Sequence, residues 1–353
     1  MKKATSLDVA RLANVSQTTV SLILNNSDRI SFSQETRDRV LNAARELDYH
    51  LTPRRRSADK PRKSSRTLLV LTPTLTNQYY SELIQAVEDY ADTLRYRVVV
   101  CNTFRKPELE KYYLDTFAAN LVDGIIYAFL PSFPSLLQSL PTVIIGEKQQ
   151  DMAVCSIELS NVSAGSLLTE HLYQLGHRRF AFITTPLNQL TLARTQRLEG
   201  IQRQLQSHGV KEPLEVLSPD ENAEADSRDD GLPYEFFTGR QLTAEFLRRK
   251  SPATALIGVN DMTALGILAE LSAQGVKVPR DVSVCGFDNI FSSSVTTPGL
   301  TTIDHHLRDR CRAAVDMLVS NGSASPILPP YVNKIEYTPQ LIARGSTGPA
   351  KRG

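Results

Sequence analysis

The sequence predicts a small all-α head followed by an α/β body of two doubly wound lobes, and three observations carry that reading. Residues 5–49 pattern as three short amphipathic helices sharing one small core. From Leu68 onward, short apolar runs alternate with helical segments, the pattern of parallel sheets covered on both faces. Between the two, the stretch from His50 to Arg66 is basic, carries Pro53 and Pro61 and has almost no apolar side chains, as a linker does. The expected boundaries are a head over 1–50, a linker over 51–66, a body over 67–347 and a tail over 348–353.

In the head, Thr5-Ser6-Leu7-Asp8 fits a capping box, because the hydroxyl and the carboxylate three residues on can both satisfy amide groups at a helix start. That helix runs to about Ala13, with Leu7, Ala10, Leu12 and Ala13 as its expected inner face, and Asn14 tolerates the positive φ of a tight turn. Ser16 caps the next helix, Gln17 to Leu24, which turns Val20 and Leu24 inward and Gln17, Thr18 and Ser21 outward. A third helix starts near Ser33 and aligns Val40, Ala44 and Leu47.

In the body, the expected strands are Leu68 to Leu71, Val98 to Cys101, Gly124 to Phe129, Val143 to Ile145, Phe180 to Ile183, Ala255 to Val259 and Val282 to Cys285. Ile84, Val87, Ala91 and Leu94 repeat at the spacing of a helix laid on a sheet. Seven or more strands call for two lobes. Ser218 to Gly231, with six acidic residues and one basic, reads as a solvated loop.

The bulk numbers narrow the function. Of 353 residues, 41% are apolar and 22% charged, ordinary for a multidomain globular chain. No stretch approaches the roughly 18 apolar residues of a membrane span, and the polar start leads into no signal-peptide core, so the expected location is cytoplasmic. Cys101, Cys155, Cys285 and Cys311 lie far apart and form no C-x-x-C, which points to reduced structural thiols and no metal. The net charge of +2 hides an asymmetry: 14 basic against 7 acidic residues up to Arg66, and 26 against 31 beyond it. A basic end on a mildly acidic body is the footprint of a polyanion-binding module. No G-x-G-x-x-G, Walker loop, G-x-S-x-G or H-E-x-x-H is present, so nothing supports an enzyme, and no cofactor is expected.

The head's Asp8-Val9-Ala10, Ala13, Val15-Ser16, Thr19-Val20-Ser21 and Leu24-Asn25, followed by Ser33-x-x-Thr36-Arg37-x-x-Val40 and Leu47-x-Tyr49, resemble the helix-turn-helix signature of the lactose-repressor (LacI/GalR) family. In the body, Asn77-Gln78-Tyr79-Tyr80, Val122-Asp123-Gly124-Ile125-Ile126, Leu175-Gly176-His177-Arg178-Arg179, Asn260-Asp261, Gly286-Phe287-Asp288 and Leu300-Thr301-Thr302-Ile303 are similar to further landmarks of that family, in its order. The resemblance implies an all-α helix-turn-helix head on a periplasmic-binding-protein-like two-lobed sensor. It also implies a homodimer on a palindromic operator in double-stranded DNA and a small-molecule effector, most often a sugar, between the lobes. Such a protein represses transcription, here of carbohydrate-utilisation genes.

A recognition helix in the major groove reads bases with side chains near its start. Gln17 and Thr18 are the expected base readers, the glutamine bidentate to adenine and the threonine through hydroxyl or methyl. Thr5, Ser16, Thr19, Ser21 and Asn25 are placed for phosphates. Leu22 stands where many members carry an arginine, leaving apolar contact, or no specificity at all, at that base. The linker lacks the leucine that members wedge into the minor groove. Arg54, Arg55 and Arg56 are therefore expected to engage a narrow minor groove or to track phosphates.

For the effector, the resemblance points to Tyr79 and Tyr80 as aromatic walls and to Arg197, Asn260 and Asp288 as polar clamps. Glu147 follows Gly146 where members have an aspartate, Ser160-Asn161 replaces an Asp-Asn pair, and His305 sits at the cleft edge with His306 on the surface. Glu147, Ser160 and His305 complete the expected effector set. Apolar sugar faces suit aromatic walls, and sugar hydroxyls need paired donors and acceptors.

Overall fold

The computed structural model describes residues 5–16, 19, 20, 23, 33–47, 64–117, 121–134, 137, 141–149, 152–187, 192–220, 233–321 and 332–351. The chain divides into two compact units, Met1–Lys63 and Ser64–Gly353.

In the first unit, α1 (Ser6–Ala13) starts on the expected capping box: the Thr5 hydroxyl accepts from the Asp8 amide at 3.3 Å, and the Thr5 amide donates to Asp8 Oδ2 at 2.8 Å. Asn14 ends it at φ 52°. Thr19, Val20 and Ile23 are helical, and α2 (Gln34–Glu46) is capped by Ser33. The core is Val9, Ala10, Ala13, Val20, Ile23, Val40, Ala43 and Ala44, with Val15 and Leu47 against it. This corrects the expected inner face of α1. Leu7 and Leu12 are exposed, because at 100° per residue each lies about 110° from the centre of the stripe formed by Val9, Ala10 and Ala13. Leu24 lies outside the described residues.

In the second unit, β1 (Thr67–Thr72), β2 (Arg97–Asn102), β3 (Gly124–Tyr127), β4 (Thr142–Ile145) and β5 (Cys155–Leu159) join β11 (Lys334–Tyr337) in a parallel sheet of order β11-β5-β4-β3-β1-β2. A second parallel sheet, β7-β6-β8-β9, holds β6 (Phe180–Ile183), β7 (Glu215–Leu217), β8 (Ala255–Gly258) and β9 (Ser283–Cys285). β10 (Thr302–Asp304) and β12 (Gln340–Ile342) form an antiparallel pair. Each of the seven expected runs contains a strand, but β3 and β8 end before Phe129 and Val259, and β9 starts after Val282.

Alternation along each strand feeds two cores per sheet. Leu68 and Val70 point to one face of the first sheet and Leu69 and Leu71 to the other, while Phe180 and Phe182 oppose Ala181 and Ile183 in the second. The covering helices are α3 (Gln78–Thr93), α4 (Pro107–Phe117), α5 (Asn161–Gln174), α6 (Leu192–Ser207), α7 (Tyr234–Arg248), α8 (Asp261–Ala273), the short α9 (Phe291–Val295) and α10 (Leu307–Asn321). The chain passes between lobes after β5, between β10 and α10, and between β11 and β12, so the first lobe is completed by α10 and β11.

Some elements escaped the pattern. β5 reads Cys-Ser-Ile-Glu-Leu, and its buried Glu158 breaks the apolar run; it is satisfied by the Ser156 hydroxyl at 2.6 Å and Lys334 Nζ at 2.8 Å. The expected tail is also packed. The Gly348 carbonyl accepts from His177 Nε2 and Ser283 Oγ while its amide donates to Ser283 Oγ, the Ala350 amide donates to Leu175 O at 2.8 Å, and Lys351 pairs with Asp281 at 2.7 Å. At the other end, Ser64, Ser65 and Arg66, expected in the linker, donate to the Asp123 carboxylate, which holds that carboxyl below its ordinary pKa. The four cysteines are free thiols. Among the described residues no helix is long and apolar enough to cross a membrane, and no side-chain group has the makings of a metal site.

Candidate functional site

Of the residues expected at DNA, Thr5, Ser16 and Thr19 are described. Ser16 Oγ accepts from the Thr19 amide at 3.0 Å and bonds Thr19 Oγ1 at 2.8 Å, while Thr5 is engaged with Asp8. All three therefore sit at helix starts, where their hydroxyls take part in capping bonds. Gln17, Thr18, Ser21, Leu22, Asn25, Arg54, Arg55 and Arg56 lie outside the described residues.

In the body, the carboxyl ends of both parallel sheets converge, the place where open α/β folds bind ligands. A cavity of about 130 Å³ lies there. Tyr79, Tyr80, Glu147, Arg197, Asn260, Asp288 and His305 all line it. Ser160 does not: its hydroxyl accepts from the Ser163 amide at 3.3 Å and donates to Ser163 Oγ, capping α5. Its place is taken by Asn161, the first residue of α5.

Arg197 organises the site from α6. Its Nε donates to Asn161 Oδ1 at 2.8 Å, its Nη1 to Val259 O at 2.6 Å, and its Nη2 approaches Asp288 Oδ1 and His305 Nε2, each at 3.4 Å. Its guanidinium carbon lies 4.7 Å from the centre of the Phe287 ring, a cation-π position. Asn161 extends the network across the lobes. Its amide and Nδ2 both donate to Glu147 Oε1, at 3.2 and 2.9 Å, leaving Glu147 Oε2 buried without a hydrogen-bond partner. Asn260 spends its oxygen on the α8 cap, accepting from the Thr263 amide at 2.9 Å. Tyr79 packs edge-on to Tyr80 at 5.3 Å and to His305 at 6.2 Å.

A direct bond also joins the lobes: Asn77 Nδ2 donates to Glu235 Oε1 at 3.0 Å, both side chains being buried. Sequence reasoning did not single out Glu235, Arg105, Arg194, Phe129 or Arg310, which line the same cavity. Arg194 and Arg197 share a face of α6 at i, i+3 spacing, a signal that was available. Arg310 sits among Arg308, Asp309 and Arg312, where charge reads as a solvated helix face.

Burial sets the protonation of the site. It raises Tyr80 to about 12, lifts Tyr79 and lifts Glu147 against the hydrogen bonds from Asn161. Asp288 rises to about 7, because the long Arg197 contact does not offset its loss of solvation. His305 is pushed well below the usual imidazole range, first by burial and then by Arg197. It is therefore neutral at pH 7. A carboxyl raised from 3.8 to about 7 contributes stability that is present below 3.8 and lost as pH rises toward 7. The stability of wild type minus that of Asp288→Asn should thus fall across this window, by at most about 1.4 kcal/mol per pH unit. Urea midpoints at several pH values measure it, and a difference that grows with pH would contradict the assignment.

Comparison with known proteins follows the same division. Residues 5–51 match the family "Bacterial regulatory proteins, lacI family" and residues 169–347 match "Periplasmic binding protein-like domain". The chain is 31% identical to the HTH-type transcriptional repressor CytR of Escherichia coli strain K12, over 98% of this chain and 96% of that one. Among solved structures, it resembles the lac repressor dimer bound to operator and the anti-inducer ONPF, with TM-score 0.66, 26% identity and coverage of 98% and 100%. It also resembles a LacI family regulator from Enterococcus faecium with bound ribose, with TM-score 0.69, 25% identity and coverage of 81% and 100%.

Proposed function

The chain belongs to the lacI family of bacterial regulatory proteins, DNA-binding transcriptional repressors rather than enzymes, and from that premise we propose that it represses carbohydrate-utilisation genes under control of a sugar or sugar derivative. The carrying observation is the cavity between the lobes. Tyr79 and Tyr80 give it aromatic walls, and Glu147, Asn161, Arg197, Asn260 and Asp288 bring donors and acceptors from both lobes. That combination fits a polyol with an apolar face. The ribose held by the Enterococcus faecium relative supports the class.

In this reading a cytoplasmic homodimer binds a near-palindromic operator, as the lac repressor structure does. Gln17 and Thr18 read bases; Thr5, Ser16, Thr19, Ser21 and Asn25 hold phosphates; Leu22 makes an apolar contact; and Arg54, Arg55 and Arg56 engage the minor groove or backbone. The head occupies 1–50 and the basic linker 51–63, while the effector-binding body starts at Ser64, whose neighbours hold Asp123, and includes the packed tail from Gly348. An effector that prefers one arrangement of the lobes changes operator affinity by that preference and no more.

The test is in-vitro selection of operator DNA by the full chain, then gel shifts and calorimetry with carbohydrates. Selected palindromes should be preferred at moderate salt, and one carbohydrate should alter that binding. An intact protein without sequence preference sinks the reading of the head. A purine alone shifting the operator curve replaces the sugar.

A further inference from the structure

Arg310 is the anomaly of the cavity. It is 3% exposed, its Nη2 donates to Ile157 O at 3.0 Å, its Nε has no hydrogen-bond partner, and among the described residues no carboxylate forms an ion pair with it. A guanidinium stays charged at any working pH, and a buried charge without a counter-ion is costly. Its surroundings are rich in charge. Arg105, Arg194 and Arg197 line the same cavity, against Glu147, Glu235 and Asp288. Arg197 is engaged by Asp288, which also feels the charge of Arg310 without bonding it; Arg194 donates to Pro186 O at 2.9 Å, and Glu235 accepts from Asn77. Burial raises Glu147 and takes Asp288 to about 7, so two of the three carboxyls tend to shed their charge where the arginines cannot.

We propose that the effector is anionic, a carbohydrate bearing a phosphate or carboxylate group, and that Arg310 receives that group. The inference rests on the reading of the cavity as the effector site and names its charge. Arg310 comes from α10 of the first lobe and Arg194 from α6 of the second, so an anion drawn into their shared field favours the closed arrangement of the lobes.

Calorimetry on the full-length protein tests it with matched sets: glucose, glucose 6-phosphate and glucuronate; galactose and galacturonate; ribose and ribose 5-phosphate; cytidine and its 5′-phosphate; and inorganic phosphate alone. One anionic carbohydrate should bind at least about tenfold tighter than its neutral parent, and added salt should weaken it. The phosphate and uronate arms identify the group. Arg310→Met should remove that preference and its salt dependence while leaving operator binding, and Arg310→Lys should keep part of both. A neutral sugar binding as tightly as its anionic partners overturns the charge and leaves the sugar reading. A nucleotide binding in place of every carbohydrate keeps the charge and overturns the sugar. Unchanged affinity for the anion in Arg310→Met overturns the assignment to Arg310.

Discussion

Arg197→Met is expected to abolish the effector response and to destabilise the body by about 3 kcal/mol. Both effects have one cause. Arg197 is 7% exposed, and its donors reach Asn161, the Val259 carbonyl, Asp288 and His305. Methionine fills the volume but donates nothing, so Asn161 Oδ1 and Val259 O lose their partner in a buried site, where each unmet group costs about 1–3 kcal/mol. Asp288 then loses its cation and shifts further toward the protonated form. Asn161 also loses the bond on its oxygen while its nitrogens still hold Glu147, so the bridge between lobes loosens from one side. Urea denaturation reads the stability, and titration of the protein–operator complex with its effector reads the response. The head has a core of its own, so Arg197→Met should still bind operator DNA. A variant that keeps full effector response would show that Arg197 is structural only.

The sequence showed the site's outline better than its balance of charge. Tyr79, Tyr80, Asn260 and Asp288 were legible because they sit in landmarks at loops and helix starts, where side chains serve ligands more often than packing, whereas Arg197, inside α6, was pointed to by the family resemblance alone. Ser160 was misplaced by one residue. A serine before a helix satisfies its amides first, and that demand, visible in Ser160 and Ser163, hands the cleft to Asn161. Glu235 and Arg310 stayed hidden for another reason. Each is a charged residue on an amphipathic helix, where periodicity favours the solvated reading, yet Glu235 is buried against Asn77 of the other lobe and Arg310 against the Ile157 carbonyl. Seven strands were legible from apolar runs, whereas β5 was masked by Glu158, whose charge is met by Lys334 from a strand far along the chain. Non-local partners leave no local trace.

The second large effect is expected from Gly165→Ala, which should cost about 3 kcal/mol and also weaken effector binding. α5 and α6 touch backbone to backbone through a reciprocal glycine pair. A Cβ at Gly165 would strike the Arg197 carbonyl oxygen, and one at Gly200 would strike the Val162 carbonyl oxygen. α7 and α8 repeat the device, with Gly239 against Thr263 and Gly266 against Phe236. Only at Gly165 is the obstructed atom part of the organising arginine itself. Relief requires α6 to move outward, carrying the guanidinium away from Asn161 and Asp288, and hydrogen bonds and ion contacts lose strength with such displacement. Leu271→Ala is the proper comparator. Leu271 is fully buried in the core on the other face of the second sheet and lines no part of the cavity, and its truncation costs a similar about 2–5 kcal/mol. If close packing of α5 on α6 positions Arg197, Gly165→Ala should lower effector affinity at least about tenfold below Leu271→Ala at matched stability. Equal affinities in the two variants would mean that the glycine pair serves the fold alone.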